Sequence, residues 1–181
     1  MRLAAAVTIL LLVPAASVAS GQRAAPRSKQ GSGAAQWHEV VSKEASLRLR
    51  LPAQWQTKPA TRKGRPCLEA LSPKSTVFLQ ACSFRNGDLA LDDLLDQTLD
   101  ELGVDLDDDP DEERINGLDA LVGETTAGFN GRNLGMFIVV AAYGETRYVV
   151  YVMTKGDLFD ANARTMNRIV DSLTPIARGG K

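Results

Sequence analysis

Leu118 to Thr154 reads LDALVGETTAGFNGRNLGMFIVVAAYGETRYVVYVMT, and this stretch decides the fold class. Three segments rich in β-branched and aromatic residues, Leu118 to Ala127, Leu134 to Tyr143 and Arg147 to Thr154, are separated by Asn130-Gly131 and Gly144-Glu145. Such punctuation is turn chemistry, because Asn and Gly accept positive φ at little cost, so the segments predict a three-stranded antiparallel meander. Within the middle segment MFIVVAAY is nearly continuous in apolar character. A strand with one wet face alternates, so this one is expected at a central position with both faces buried.

Amphipathic helices flank the meander. On its N-terminal side Leu91, Leu94, Leu95, Leu99 and Leu102 recur at helical spacing, with Asp92, Asp93, Asp96 and Asp100 between them, which predicts a helix over 88–102 stopped by Gly103. On its C-terminal side Phe159, Ala163, Met166, Val170 and Leu173 mark a second helix closed by Pro175. Further upstream, Trp37 to Ser42 and Ser46 to Leu51 read as strands. In the second, Leu47, Leu49 and Leu51 alternate with Ser46, Arg48 and Arg50. Gln56 to Pro66, with two Pro, a Gly and four basic side chains, is expected to be a solvated loop.

Cys67 to Ser72 and Thr76 to Phe84 predict a hairpin around Pro73 and Lys74. If Leu71 stands opposite Phe78, antiparallel register places Cys67 opposite Cys82. In an exported chain that arrangement favours a disulfide, the alternative being two small apolar side chains buried in the core. Strands, helix, strands, helix in that order give an α+β layered sandwich: an antiparallel sheet of about six to seven strands covered by two main α-helices.

The N-terminus carries an address. Met1-Arg2, then Leu3 to Val13 interrupted only by Thr8, then Pro14 and the small residues Ala15 to Ser20 follow the positive, apolar, small-residue order of a signal peptide over 1–20, with cleavage after Ala19 or Ser20. The first Cys is Cys67, so no lipid-anchored Cys follows the apolar run. Residues 21–35 (GQRAAPRSKQGSGAA) are expected to be a flexible basic leader, 36–177 one domain and 178–181 a tail. No later apolar run approaches the roughly 20 residues of a membrane span.

The segments SLRLRLPAQW (46–55), INGLDALVGE (115–124), YVVYVMT (148–154) and IVDSLTP (169–175) together resemble the PsbP-like fold group, small exported α+β domains that include a photosystem extrinsic protein and bacterial periplasmic proteins. The resemblance covers nearly the whole chain after the leader. It implies that fold and a role in binding or assembly, with no shared active site to carry over.

Composition narrows the chemistry. The 181 residues hold 21 Lys and Arg against 22 Asp and Glu, one His and two Cys, too few His and Cys for the standard zinc cages. A Ser-His-Asp or Cys-His site would have to use His38, and no G-x-S-x-G surrounds any Ser. The near-neutral total hides a segregation: Gln22 to Pro66 carries ten basic and two acidic residues, Asn86 to Asp119 fourteen acidic and one basic. Asp105 to Glu113 (DLDDDPDEE) is expected to be an acidic loop. Taking Asp105 as position one puts Asp107 and Asp109 at positions three and five of an EF-hand loop, with Asp111 following, but Pro110 replaces the Gly and Asn116 the final Glu. Those four Asp are therefore weak calcium candidates, and no cofactor is implied.

The function expected from the sequence is a non-enzymatic exported binding or assembly domain acting on a protein partner or small apolar ligand, not on nucleic acid. The alternatives are a divalent-cation-responsive module built on the 105–113 loop and a carboxylate-based hydrolase.

Overall fold

The computed structural model describes residues 36–129 and 132–176. The expected signal peptide and leader, the expected Asn130-Gly131 turn and the 178–181 tail lie outside the described residues.

The meander forms as the sequence predicts, with longer strands: β7 (Leu118–Phe129), β8 (Arg132–Tyr143) and β9 (Thr146–Lys155). It is the centre of a seven-stranded antiparallel sheet that also contains β3 (Gln56–Arg62), β4 (Arg65–Leu71), β5 (Val77–Arg85) and β6 (Asp111–Ile115), in the order β3-β4-β5-β9-β8-β7-β6. A separate three-stranded sheet joins β1 (Trp37–Ser42), β2 (Leu47–Pro52) and β10 (Thr174–Pro175) in the order β1-β2-β10.

The apolar run of β8 is explained by two cores, one on each face of the large sheet. Phe137, Val139 and Ala141 belong to a cluster with Leu47, Leu49 and Leu51 of β2 and with Met166, Ile169 and Val170 of α2 (Phe159–Val170). Met136, Ile138 and Val140 point the other way, into a cluster with Leu94 and Leu95 of α1 (Leu91–Leu102). The three β2 leucines are at most 1% exposed, a gain of about 1.5–3 kcal/mol for each side chain. Gly135 lets α2 approach β8 closely, since a Cβ there would stand 2.6 Å from Cγ and 2.8 Å from Cβ of Phe159. Arg147 is 7% exposed and donates to the carbonyls of Leu89, Gly144 and Gly87, tying the β8–β9 turn to the segment that leads into α1.

Four expectations need correction. Residues 56–66 are strand β3, a two-residue turn and the start of β4, not a solvated loop. β3 is an edge strand with both faces largely wet, so it shows no apolar alternation. Pro59 is tolerated there as it would not be in a central strand. The turn is Lys63-Gly64, both with positive φ, between paired Arg62 and Arg65, the backbone of a type I′ hairpin. The acidic stretch is a loop only as far as Pro110. From Asp111 it forms β6 at the opposite edge, turned back on β7 through Asn116-Gly117 with φ of 49° and 88°. The second helix ends at Val170, and Pro175 lies in β10 against Leu47. The first helix likewise begins at Leu91, three residues later than expected, and Gly103 caps it in the left-handed conformation.

Candidate functional site

The hairpin register is as expected: Leu71 opposes Phe78, Cys67 opposes Cys82, and the two sulfurs form a disulfide. Alternation along β5 and β9 places Gln80, Cys82, Val149 and Tyr151 on the face that carries α1. There Arg62, at the end of β3, donates to the Tyr151 hydroxyl and to Gln80 Oε1 at 3.3 Å. Tyr151 in turn donates to Gln80 Oε1. Gln80 Nε2 donates to Glu69 at 2.8 Å, and Lys58 pairs with Glu69 at 2.9 Å. At the hairpin tip Lys63 and Arg65 reach Glu101 of α1 at 3.2 and 3.8 Å. Arg62, Arg65, Gln80, Tyr151, Glu101 and Thr98 are among the residues that enclose a cavity of about 20 Å³, room for one water.

Burial pushes the Tyr151 phenol up to about 12, with the Arg62 guanidinium opposing the shift. Such a phenol stays protonated at neutral pH and donates its proton as a hydrogen bond, so this network holds the β3–β4 hairpin against α1. The sequence did not point to it. Arg62, Gln80 and Tyr151 are far apart along the chain, and only the pairing of β5 with β9 makes the last two neighbours.

Beside α1 lies an open groove of about 610 Å³. Leu95, Leu99, Leu106 and Pro110 supply its apolar surface and Asp92, Asp96, Asp107, Asp108 and Asp109 its charge. Its outer wall is fixed to β7. The Asp107 N–H donates to Glu124 O at 3.0 Å, Asp107 Oδ2 accepts the Thr126 N–H at 2.9 Å, and the Thr125 hydroxyl donates to Asp105 O. Leu106 lies over Gly123, where a Cβ would stand 2.6 Å from a Leu106 methyl. Glu124 is held above the usual carboxylate range by partial desolvation and then by Asp111, Asp107 and Asp108.

Of the four calcium candidates, Asp107 and Asp109 line this groove, Asp105 precedes it and Asp111 opens β6. All four side chains are exposed. Among the described residues no group of three or more His, Cys, Asp or Glu converges in a metal-holding arrangement. Asp92, Asp96 and Asp100 are exposed on α1, and His38 is exposed on β1, the edge strand of the small sheet.

A third concavity, of about 410 Å³, lies on the opposite side of the large sheet, where β2, β10 and the end of α2 meet. Arg48, Arg50 and Arg168 line it together with Glu39, Asn116 and Asp171. Asn116 has left-handed backbone and donates from Nδ2 to the carbonyls of Asp171 at 2.8 Å and Leu173 at 2.9 Å, so the β6–β7 turn caps the segment leaving α2.

No helix among the described residues is long and apolar enough to cross a membrane, and a disulfide is compatible with export. No protein-family model matches the chain, and no curated protein matches it. Among solved structures, cyanobacterial PsbP (CyanoP) from Synechocystis is similar at TM-score 0.61 with 13% identity, over 82% of this chain and 97% of that one. A protein of Bacteroides thetaiotaomicron is similar at TM-score 0.55 with 14% identity, over 79% of this chain. The match spans 50% of the Bacteroides protein. LpqN of Mycobacterium tuberculosis, described as involved in cell envelope biogenesis, is similar at TM-score 0.51 with 15% identity, over 77% of this chain and 90% of that one. At such identities the likeness speaks for architecture alone, and by that architecture the chain has the PsbP-like fold.

Proposed function

We propose that the chain is a non-enzymatic exported binding or assembly domain whose partner is a protein, engaged through the groove beside α1. The observation that carries this reading is the make-up of that groove: apolar side chains of α1 and the 106–110 loop set among five carboxylates, in a volume of about 610 Å³ open to solvent. An enclosed apolar cavity suits a small apolar ligand. An open trough of this kind suits a cationic segment of a partner protein, with apolar anchors on the half-buried Leu99 and Leu106 and basic side chains against the rim. The carboxylates then steer encounter and fix orientation more than they add affinity. The envelope association of LpqN is in keeping with an exported role, by analogy of fold only.

The test is affinity capture from envelope extract, with the wild-type chain compared against Asp92→Asn/Asp96→Asn/Asp108→Asn. The reading expects a protein bound directly and saturably by the purified wild-type chain and lost from the variant. Recovery of the same proteins by both would refute it. Calorimetry with calcium belongs beside this test, because saturable binding at millimolar concentration would move the groove to the cation-responsive reading that the crowding around Glu124 favours.

A further inference from the structure

The groove at the junction of β2, β10 and α2 has a chemistry opposite to the one beside α1. Arg48 and Arg50 stand two residues apart on β2, hence on one face of the small sheet. Arg168 comes from the last turn of α2, and all three line the same concavity of about 410 Å³. Two carboxylates, Glu39 and Asp171, also line it against the three guanidinium groups, so the lining keeps a net positive charge. Arg48 approaches Glu39 only to 3.9 Å, with both side chains about half exposed, a pair worth little in water. Arg50 and Arg168 form no ion pair among the described residues. Arg168 is nonetheless held in place, its guanidinium stacked over the Trp37 ring at 4.3 Å, which reduces the side-chain entropy lost when it takes a ligand. The floor is also fixed. Ser172 Oγ accepts the Arg50 N–H at 2.8 Å, and Asn116 clamps the carbonyls of Asp171 and Leu173.

We propose that this groove is an oxyanion site that takes a phosphate group through Arg50 and Arg168, with Arg48 as an outlying cation. Guanidinium is the side chain whose paired donors match the oxygens of phosphate, and here two of the three form no ion pair among the described residues. A soluble phosphoryl compound and the headgroup of an anionic lipid present the same oxygens to these donors. This inference is independent of the partner proposed for the acidic groove, which lies on the other side of the sheet.

The experiment uses the purified chain with two probes, inorganic phosphate followed by tryptophan fluorescence and calorimetry, and sedimentation with vesicles of phosphatidylglycerol in phosphatidylcholine against phosphatidylcholine alone. Saturable binding of at least one probe is expected. Arg50→Gln/Arg168→Gln should weaken it at least about tenfold, since each guanidinium removed takes charge-assisted hydrogen bonds with it, while Arg85→Gln, exposed on β5 away from the groove, should leave it unchanged. Because Arg168→Gln also disturbs Trp37, Arg50→Gln alone must show a loss in the same direction. Binding of phosphate itself assigns the site to soluble ligands, and binding only to phosphatidylglycerol vesicles assigns it to the headgroup. Saturable binding to neither probe, or binding that the double variant retains, overturns the proposal.

Discussion

Opening the Cys67–Cys82 bridge should cost the chain about 3 kcal/mol of stability. The two cysteines are 15 residues apart, and closing a loop of that length removes about 10 cal/mol/K of entropy from the unfolded chain, about 3 kcal/mol at 25 °C. Two corrections act in opposite directions. The sulfurs belong to residues only 1% and 3% exposed, and two thiols need more room than a bonded pair, which adds to the loss. Residual β4–β5 pairing in the unfolded chain subtracts from it. The assay is urea unfolding with and without reductant, read by the fluorescence of Trp55, which is buried in the core that carries β2. With a slope of about 2 kcal/mol/M the midpoint should fall by about 1.5 M on reduction. Cys67→Ala/Cys82→Ala should unfold near the reduced wild type and ignore reductant, which separates the bridge from unrelated effects of the reagent. Midpoints that agree within about 0.3 M with and without reductant would refute the reasoning, because the bridge would then constrain nothing that the hairpin does not already hold.

Tyr151 makes alkaline stability a second test. Its native value of about 12 lies above the ordinary 10.0, so the folded chain holds this proton more tightly. The contribution is complete below pH 10 and is lost as pH rises to 12, about 2–3 kcal/mol over the window. Unfolding free energies of the wild type minus those of Tyr151→Phe should show that slope, and a flat difference contradicts it. Gly135→Ala should cost about 1–3 kcal/mol because the obstructing Phe159 atoms include its Cβ, next to the helix backbone, whereas Gly123→Ala should cost less because it meets only the movable end of Leu106. Equal losses in thermal unfolding would undo that distinction. Asn116→Gly keeps the left-handed turn and deletes two hydrogen bonds, for a loss of about 1 kcal/mol, and Asn116→Ala should lose about 1 kcal/mol more from backbone strain. An Ala variant as stable as the Gly variant would show that the turn carries no such strain. Ser83, fully buried with no hydrogen-bond partner among the described residues, should become Ala at no cost or with a gain of up to about 1 kcal/mol, and a marked loss in denaturant unfolding would reveal a partner for its hydroxyl.

What the sequence made legible, and what it hid, divides along the reach of the interactions. β8 was readable because a strand buried on both faces must be apolar at every position, so Met136 to Ala142 carry the information themselves. The Cys67–Cys82 pairing was readable because a short connection fixes antiparallel register, and one assumed pair, Leu71 with Phe78, determined the rest. β3 and β6 were not readable by the same test, since they are the two edges of the large sheet and their side chains meet water on most positions. For them the signal lay in the turns. Lys63-Gly64 and Asn116-Gly117 each sit between residues that pair directly, and a two-residue turn of that chemistry demands a strand on either side even when neither looks buried. The division of the strands into two sheets had no local signature at all. Leu47, Leu49 and Leu51 alternate as they would in either sheet, and what places β2 in the small one is its pairing with β1 on one side and with Thr174-Pro175, from the far end of the chain, on the other. The candidate sites follow the same rule. The acidic groove was half legible, because Asp92 and Asp96 lie one helical turn apart and the 107–109 run is contiguous, leaving only the folding of that run beside α1 to be found. In the arginine groove, the pair Arg48 and Arg50 could be placed on a wet face from the alternation of β2. Arg168, more than a hundred residues later, joins them only because Met166, Ile169 and Val170 bury the other side of α2 in the core shared with β2. Burial of an apolar face thus determines which charges a helix has left to offer, and where it offers them.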